Sequence, residues 1–352
     1  MSSQKENCPL DQFVLNGTSE EMADQMANES YVLDRIAILG QSTVIYAPPN
    51  TGKTLLTIRL LMESIADKKI SPKDVYYINA DDDFRGLQGK LQTAEVWDFN
   101  MLAPAHMGFK SSDLLDIISE MSNQDIARGK ILILDTLKKF CDPMDKNASR
   151  EFGTVIREFI SRGGSVIFLA HCNKNPDSEG KPIYGGVSDT LDDVDCGYLL
   201  YETASDGVRR TVIFENIKMR GDVDKEISYS YSTTEKDYTR LISSIEPVDE
   251  VAAAKAKEKL AVKERLQINE FAIESITECI EDGIVNKTSI IADASKKSGS
   301  SKAKIAKILK EHSGTNYPKG HRWVEVKGEK NAKCYCLTHP YKTDDYLMAS
   351  GG

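Results

Sequence analysis

The chain has 352 residues, of which 40% are hydrophobic and 28% charged, and carries a net charge of −9. That composition describes a globular protein of one large or two ordinary domains and excludes a disordered or fibrous chain. No apolar run reaches the length of a membrane span, and the opening MSSQKENCPLDQ lacks the apolar core of a signal peptide, so the reading is a cytoplasmic protein with no membrane partner.

The seven cysteines, odd in number and scattered, fit a reducing compartment and free thiols. The charge is unevenly spread. Residues 286–342 hold 13 Lys+Arg against 4 Asp+Glu, a local +9, which leaves −18 for the remainder of a chain whose total is −9. An acidic body with a basic C-terminal piece predicts that the tail meets a polyanion while the body does something else.

Residues 1–30 are polar and sparsely apolar, with a short helical pattern around Glu20–Met26, and read as an arm or linker helix. From Tyr31 the pattern becomes regular. Apolar, β-branched runs at Ser42–Tyr46, Val75–Ala80, Ile131–Leu134, Ser165–Ala170, Gly197–Tyr201 and Thr211–Phe214 predict strands. Helical patterns at Lys53–Lys68, Phe84–Gln92, Ser111–Arg128 and Ser149–Arg162 lie between the first of them. Strand and helix in alternation predict an α/β core over residues 31–245, with a mostly parallel sheet covered on both faces. The later strands, with Ile227–Ser232, follow one another through short turns and read as antiparallel.

Residues 246–265 are rich in Ala, Lys and Glu with no apolar stripe, a charged helical linker. Residues 266–342 carry three helical patterns (Leu266–Asp282, Thr288–Lys297, Ser300–His312), then two strands (Arg322–Lys327, Lys333–Thr338) around a turn at Gly328. Three helices and a hairpin predict a winged helix-turn-helix. Residues 343–352 are a tail.

The stretch that carries most chemistry is Ala47-Pro48-Pro49-Asn50-Thr51-Gly52-Lys53-Thr54, between a predicted strand and an amphipathic run from Leu55 to Ile65. Strand, tight loop and helix are what a phosphate-binding P-loop requires, because the loop's N–H groups and the helix dipole converge on one anion. Lys53 is expected to reach the β- and γ-phosphates of ATP, and the Thr54 hydroxyl to ligate Mg2+. Ala47 stands where the pattern usually has its first Gly, which Ala replaces unless the backbone there is left-handed. Asp135, ending the apolar run ILILD, is expected to order the metal. Thr136 follows it rather than a Glu, so the base that activates water must come from elsewhere. Asp81, after the next apolar run, is the candidate; its alternative role is a helix N-cap, which Asp82 or Asp83 also fits.

The order of these motifs, with LILDT and then AHCNK ending the following strand, resembles the RecA/DnaB-like ATPases. The segment Asp145-Lys146-Asn147-Ala148-Ser149-Arg150-Glu151 and the run GGVSDTLDDVD (Gly185–Asp195) resemble in particular the small RepA-type hexameric replicative helicases of plasmids and phages. The likeness covers about residues 36–231. It implies a RecA-like fold, ATP hydrolysis with magnesium, a homo-oligomeric ring, single-stranded DNA in a central channel, and replication or loader proteins as partners. It gives His171 the place of a γ-phosphate sensor, a role that a neutral imidazole suits. It also makes Lys218 and Arg220, in KMRG, fingers inserted into the neighbouring subunit's site. There Arg220 grips the γ-phosphate bidentately and Lys218 adds a point charge. Asp81 departs from the family's Glu, one methylene short of the usual reach.

For nucleic acid, the family's central loops would be Asp142–Arg150 and the stretch from Asn175 to Asp189, which here offer Lys146, Arg150 and Lys181. The C-terminal domain is richer, with Lys302, Lys304, Lys307 and Lys310 on its third helix, Lys296 and Lys297 ending the second, and Lys327, Lys330 and Lys333 on the wing. Lysines in this number point to phosphate contact on duplex DNA more than to base reading. Cys334 and Cys336, with His321 and His339, have the wrong spacing for a zinc site. The resulting expectation is an ATP-driven replicative DNA helicase; the alternative is a DNA-binding ATP switch, a regulator or loader with weak hydrolysis and no unwinding.

Overall fold

A computed structural model describes residues 8–20, 22–23, 30–141, 146–172, 194–249, 262–263, 265–328 and 332–338. The chain divides into two compact units, one of residues 1–202 with 207–247 and one of 248–352 with the stretch 203–206.

The first unit is built on β3 (Ser42–Ala47), a six-residue strand buried along its whole length. Its parallel partners are β7 (Ser165–His171) on one side and β8 (Cys196–Ser205) on the other. Beyond β7 the sheet continues in parallel through β6 (Ile131–Asp135), β4 (Val75–Asn79) and β5 (Asn100–Leu102). Beyond β8 it continues through β9 (Arg209–Lys218), β10 (Glu226–Ser232) and β11 (Glu246–Val248), with β9 and β10 antiparallel. Among the described residues nine strands form this sheet. A separate antiparallel pair, β1 (Tyr31–Leu33) and β2 (Ala37–Ile38), precedes it.

Period-two side-chain alternation divides the core in two. Ile45, Ile133, Ile167 and Leu169 face one way and pack with α1 (Lys53–Ala66), α2 (Phe84–Trp97) and α5 (Tyr238–Ser243). Val44, Tyr46, Leu132, Leu134, Val166 and Phe168 face the other way and pack with α3 (Leu114–Asn123) and α4 (Lys146–Ser161). Strands with apolar residues on both faces are what a sheet covered on both sides demands.

Several boundaries differ from the sequence reading, each for a local reason. The helix expected over Ser111–Arg128 opens with a 3-10 turn at Ser111–Asp113 and ends at Asn123, where Asp125 takes a left-handed φ of 59°. The one expected over Phe84–Gln92 runs on to Trp97, because Thr93 and Ala94 continue its buried stripe; Asp98 ends it at φ 61°. The strands β1, β2, β5 and β11, two or three residues each, were too short for alternation to show. The expected loop Asp142–Arg150 is already helical from Lys146 onward, so Lys146 and Arg150 belong to α4. The linker at 250–261 lies outside the described residues, as do the tail and most of the N-terminal arm.

The second unit has its own core of α6 (Glu270–Glu281), α7 (Lys287–Ser298), α8 (Lys302–Glu311) and the antiparallel pair β12 (Trp323–Lys327) and β13 (Lys333–Leu337). Trp323 is fully buried and donates its indole N–H to the Leu309 carbonyl at 2.7 Å, which ties the hairpin to α8. Asn286 caps α7, Gly299 ends it at φ 68°, and Ser301 caps α8, so the turn between the two helices is fixed by capping chemistry. Cys334 and Cys336 lie on the face of β13 opposite the buried Tyr335.

Candidate active site

The loop Ala47–Gly52 joins the carboxyl end of β3 to α1. Ala47 closes β3, buried and without positive φ, so the usual glycine is not needed there. Asn50 (φ 61°) and Gly52 (φ 89°) are left-handed. A Cβ on Gly52 would also lie 2.8 Å from the Tyr231 hydroxyl, so glycine is required twice over. The Thr51 hydroxyl donates to the Pro48 carbonyl at 2.9 Å and closes the turn. Gly52 gives α1 no side-chain cap, and the first turn holds no acid. The helix N-terminus therefore presents its orphan N–H groups, those of Lys53, Thr54 and Leu55 among them, where an anion is stabilised by hydrogen bonds and dipole together.

A lysine at that end of a helix is unfavourable by itself. Here the buried Lys53 ammonium reaches the wholly buried Asp135 carboxylate at 3.1 Å. The same carboxylate accepts from the Thr54 hydroxyl at 2.7 Å and the Tyr77 hydroxyl at 2.8 Å. Burial works to raise the Asp135 carboxyl, but the Lys53 charge and the two hydroxyl donors outweigh it and hold the group below the ordinary carboxylate range. A hydroxyl and an ionised carboxylate 2.7 Å apart are hard oxygen donors of the kind Mg2+ takes, and a magnesium ion that keeps phosphate and water ligands needs few from protein. The residues present thus fit the metal that the loop implies. Tyr77 is a partner the sequence did not reveal. It lies in the middle of an apolar strand, and the pairing of Asn79 with Asp135 is what brings its hydroxyl alongside.

Three consecutive aspartates follow β4, and the structure separates their roles. Asp83 caps α2, accepting from the N–H groups of Arg85 and Gly86. Asp82 is held by the buried Lys90 and by Asn79 Nδ2. The Asn79 Oδ1 in turn accepts from the N–H groups of Asp81 and Asp82. That leaves the Asp81 carboxylate, partly exposed, with an oxygen 3.8 Å from His171 Nε2. His171 ends β7, in register with Ala47. Burial pushes its pKa down, the Lys53 charge adds to that, and Asp81 opposes it; the imidazole is neutral at pH 7. Within this chain its Nε2 faces Asp81. Among the described residues the buried Nδ1 has no hydrogen-bond partner.

Lys218 and Arg220 lie elsewhere. Lys218 is the last residue of β9, and Arg220 Nη1 is 2.9 Å from Asp195 Oδ1. Asp195 Oδ2 accepts from both the backbone N–H and the hydroxyl of Ser42. Ser42 is the first residue of β3, whereas the P-loop leaves its last, so Arg220 sits about 17 Å along the strand from the loop that needs a cation. The turn beyond it is anchored by Arg35, which is 2.9 Å from both Asp222 and Asp224.

Of the cations proposed for nucleic acid, Lys302, Lys304, Lys307 and Lys310 lie exposed on the outer face of α8, opposite Ile305, Ile308 and Leu309. Lys327 is exposed on β12, Arg150 on α4, and Lys296 is 3.9 Å from Asp293. Lys297 is 3.2 Å from both Glu278 and Asp282, which draws its charge toward α6. Lys333 pairs with Glu325 at 2.6 Å. Lys181, Lys330, His339 and the segment 175–189 lie outside the described residues. Among the described residues no helix is long and apolar enough to cross a membrane, and no cluster of three or more His, Cys, Asp or Glu could hold a metal.

No curated protein matches the chain. Residues 15–177 match the model of the AAA domain family AAA_25, a span that takes in β1 to β7, the P-loop, Asp81, Asp135 and His171 and stops before Lys218, Arg220 and the second unit. Over that span the chain is similar to P-loop NTPase domains, a class whose members bind nucleotide with the usual magnesium dependence and hydrolyse ATP.

Proposed function

We propose that the protein is an oligomeric, ATP-dependent nucleic-acid motor, a replicative helicase of the RepA/DnaB-like kind. The observation that carries this reading is the separation of Arg220 from its own P-loop by the length of β3. An arginine so placed serves phosphoryl transfer only by entering another subunit's site, which calls for a closed ring of copies.

Magnesium, when bound, neutralises charge on the β- and γ-phosphate oxygens. Lys53 and the N–H groups of residues 50–55 bind the phosphates, and Thr54 and Asp135 hold the metal end of the site. Asp81 accepts a proton from the attacking water, with the neutral imidazole of His171 beside it at 3.8 Å. Lys218 and Arg220 of a neighbouring copy stabilise the charge that grows on the transferred phosphoryl group.

The second unit has the helix order and hairpin of a winged helix, with α8 as the helix offered to the major groove. Its four exposed lysines suit phosphate contact on DNA. One observation favours the other reading, an ATP switch: Asp81 is shorter than a Glu and already faces His171. ATP turnover by the wild type, by Arg220→Ala and by their mixture, with and without single-stranded DNA, decides between them. DNA-stimulated turnover, poisoned by Arg220→Ala beyond simple dilution, supports the motor. Negligible turnover with nucleotide binding intact supports the switch.

A further inference from the structure

The phosphate cradle is held from outside by two side chains that no motif picks out. Arg210, the second residue of β9, and Tyr231 on β10 are directly paired across the two strands. The Tyr231 hydroxyl donates to the Thr51 carbonyl at 3.0 Å and lies 3.4 Å from Arg210 Nη1, which donates to the Asn50 carbonyl. Glu202, on β8, forms an ion pair with the guanidinium, its carboxylate 2.8 Å from Arg210 Nε without hydrogen-bond alignment. Tyr231 is buried, 5% exposed, directly beneath Gly52.

The peptides Asn50–Thr51 and Thr51–Gly52 are trans. In a planar trans peptide the C=O and N–H point in opposite directions. Fixing the Asn50 and Thr51 carbonyls on Arg210 and Tyr231 therefore directs the N–H groups of Thr51 and Gly52 to the opposite side of the loop. Left-handed residues at 50 and 52 shape such a stretch as an anion-binding nest. Pro48 and Pro49 carry no N–H, so this loop has fewer donors than its length provides, and the two that are braced matter more.

We propose that Arg210 and Tyr231 are positioning residues for nucleotide phosphates, setting the P-loop peptides before nucleotide arrives, with Glu202 orienting the arginine. The idea rests on the nucleotide-binding reading of the loop.

The test is displacement of a fluorescent ATP analogue from the full-length protein by ATP and by inorganic tripolyphosphate, for wild type, Tyr231→Phe, Arg210→Ala, Arg210→Lys and Lys53→Ala. Tyr231→Phe is expected to weaken both ligands about 10-fold, and Arg210→Ala by roughly 10- to 100-fold, the range for a neutral and a charged hydrogen bond. Arg210→Lys is expected to recover part of the loss, and Tyr231→Phe to leave the melting temperature within a few degrees. Weakened ATP with unchanged tripolyphosphate would overturn the proposal, since the contact would then be to the nucleoside. Unchanged affinities in the Arg210 and Tyr231 variants, with Lys53→Ala defective, overturn the brace and leave the P-loop reading standing. If Lys53→Ala also binds normally, both fall. If Arg210→Lys loses as much affinity as Arg210→Ala while both melt lower, the role is in folding alone.

Discussion

The two ends of β3 do opposite things with charge. At its carboxyl end the buried Lys53, Asp135 and Tyr77 and the half-buried Thr54 satisfy one another. At its amino end Arg220 is 58% exposed on a turn, paired with Asp195 in its own subunit. The first arrangement binds and orders; the second is available to leave. A buried cluster loses several kcal/mol when one partner is removed, because the other is stranded, whereas an exposed pair contributes about 0–1 kcal/mol and is exchanged readily. On the proposed reading, a subunit built this way would hold the binding half of an active site at one end and the charge-stabilising half at the other.

The largest effect is expected from Lys53→Ala. Turnover should fall below detection and nucleotide binding should be lost, while stability drops by about 3–5 kcal/mol as Asp135 is left buried and unpaired. The double variant Lys53→Met with Asp135→Asn should recover much of that stability in a denaturant titration and none of the turnover. Recovery of neither would mean that the pair is not the energetic unit it looks like. Arg220→Ala should come next, with a loss of about 10³- to 10⁵-fold in turnover, the range for an arginine finger, and nucleotide affinity changed only a few-fold. Mixing Lys53→Ala with Arg220→Ala should restore measurable turnover, because an intact P-loop then meets an intact finger. Absence of any complementation would place both halves in one subunit and dissolve the contrast between the two ends.

Asp81 and His171 sharpen the same contrast at the carboxyl end. Asp81→Asn should lower turnover about 10²- to 10⁴-fold, the usual share of a general base. Because burial and Lys53 push the His171 pKa below its ordinary value, the imidazole works neutral, and the acid limb of the pH–rate profile should fall below pH 6.5. The sign for stability is the same. The unfolded chain takes up the proton first as pH drops, so His171 costs the folded state stability below about pH 6.5 and nothing above it. His171→Gln should remove that limb from the profile; a limb that stays belongs to another group.

Much of the binding end was legible because its residues are contiguous or end apolar runs. Ala47–Thr54 and Asp135 announce themselves by type and context. The neighbours that define their chemistry did not, since Tyr77, Asn79, Lys90, Arg210 and Tyr231 sit inside segments whose sequence only says strand or helix. Strand order brings them in, and order between non-consecutive strands is not written in any local pattern. The three aspartates show the limit from another side. All three have the same chemistry and adjacent positions, and only the capping geometry of α2 and the placement of Lys90 tell them apart. The helix boundaries slipped where Asp98 and Asp125 adopt left-handed backbone, which aspartate tolerates without advertising.

The smallest expected effects are in the second unit, whose lysines contrast with the buried cations of the first. Lys302, Lys304, Lys307 and Lys310 are exposed on α8, Lys307 only loosely paired with Glu311 at 3.7 Å, whereas Lys297 is held at 3.2 Å by both Glu278 and Asp282. Exposed lysines bind phosphate by releasing counterions, so each should contribute about one unit to the slope of log affinity against log salt and only a few-fold at any one salt concentration. Lys304→Ala and Lys307→Ala should each lower that slope by about one on duplex DNA, equally for unrelated sequences, whereas Lys297→Ala should leave it unchanged. A sequence-dependent loss at Lys304 would make α8 a reader of bases. A loss at Lys297 as large as at Lys307 would show that its two carboxylate partners release it on binding, and the line drawn here between engaged and available cations would have to move.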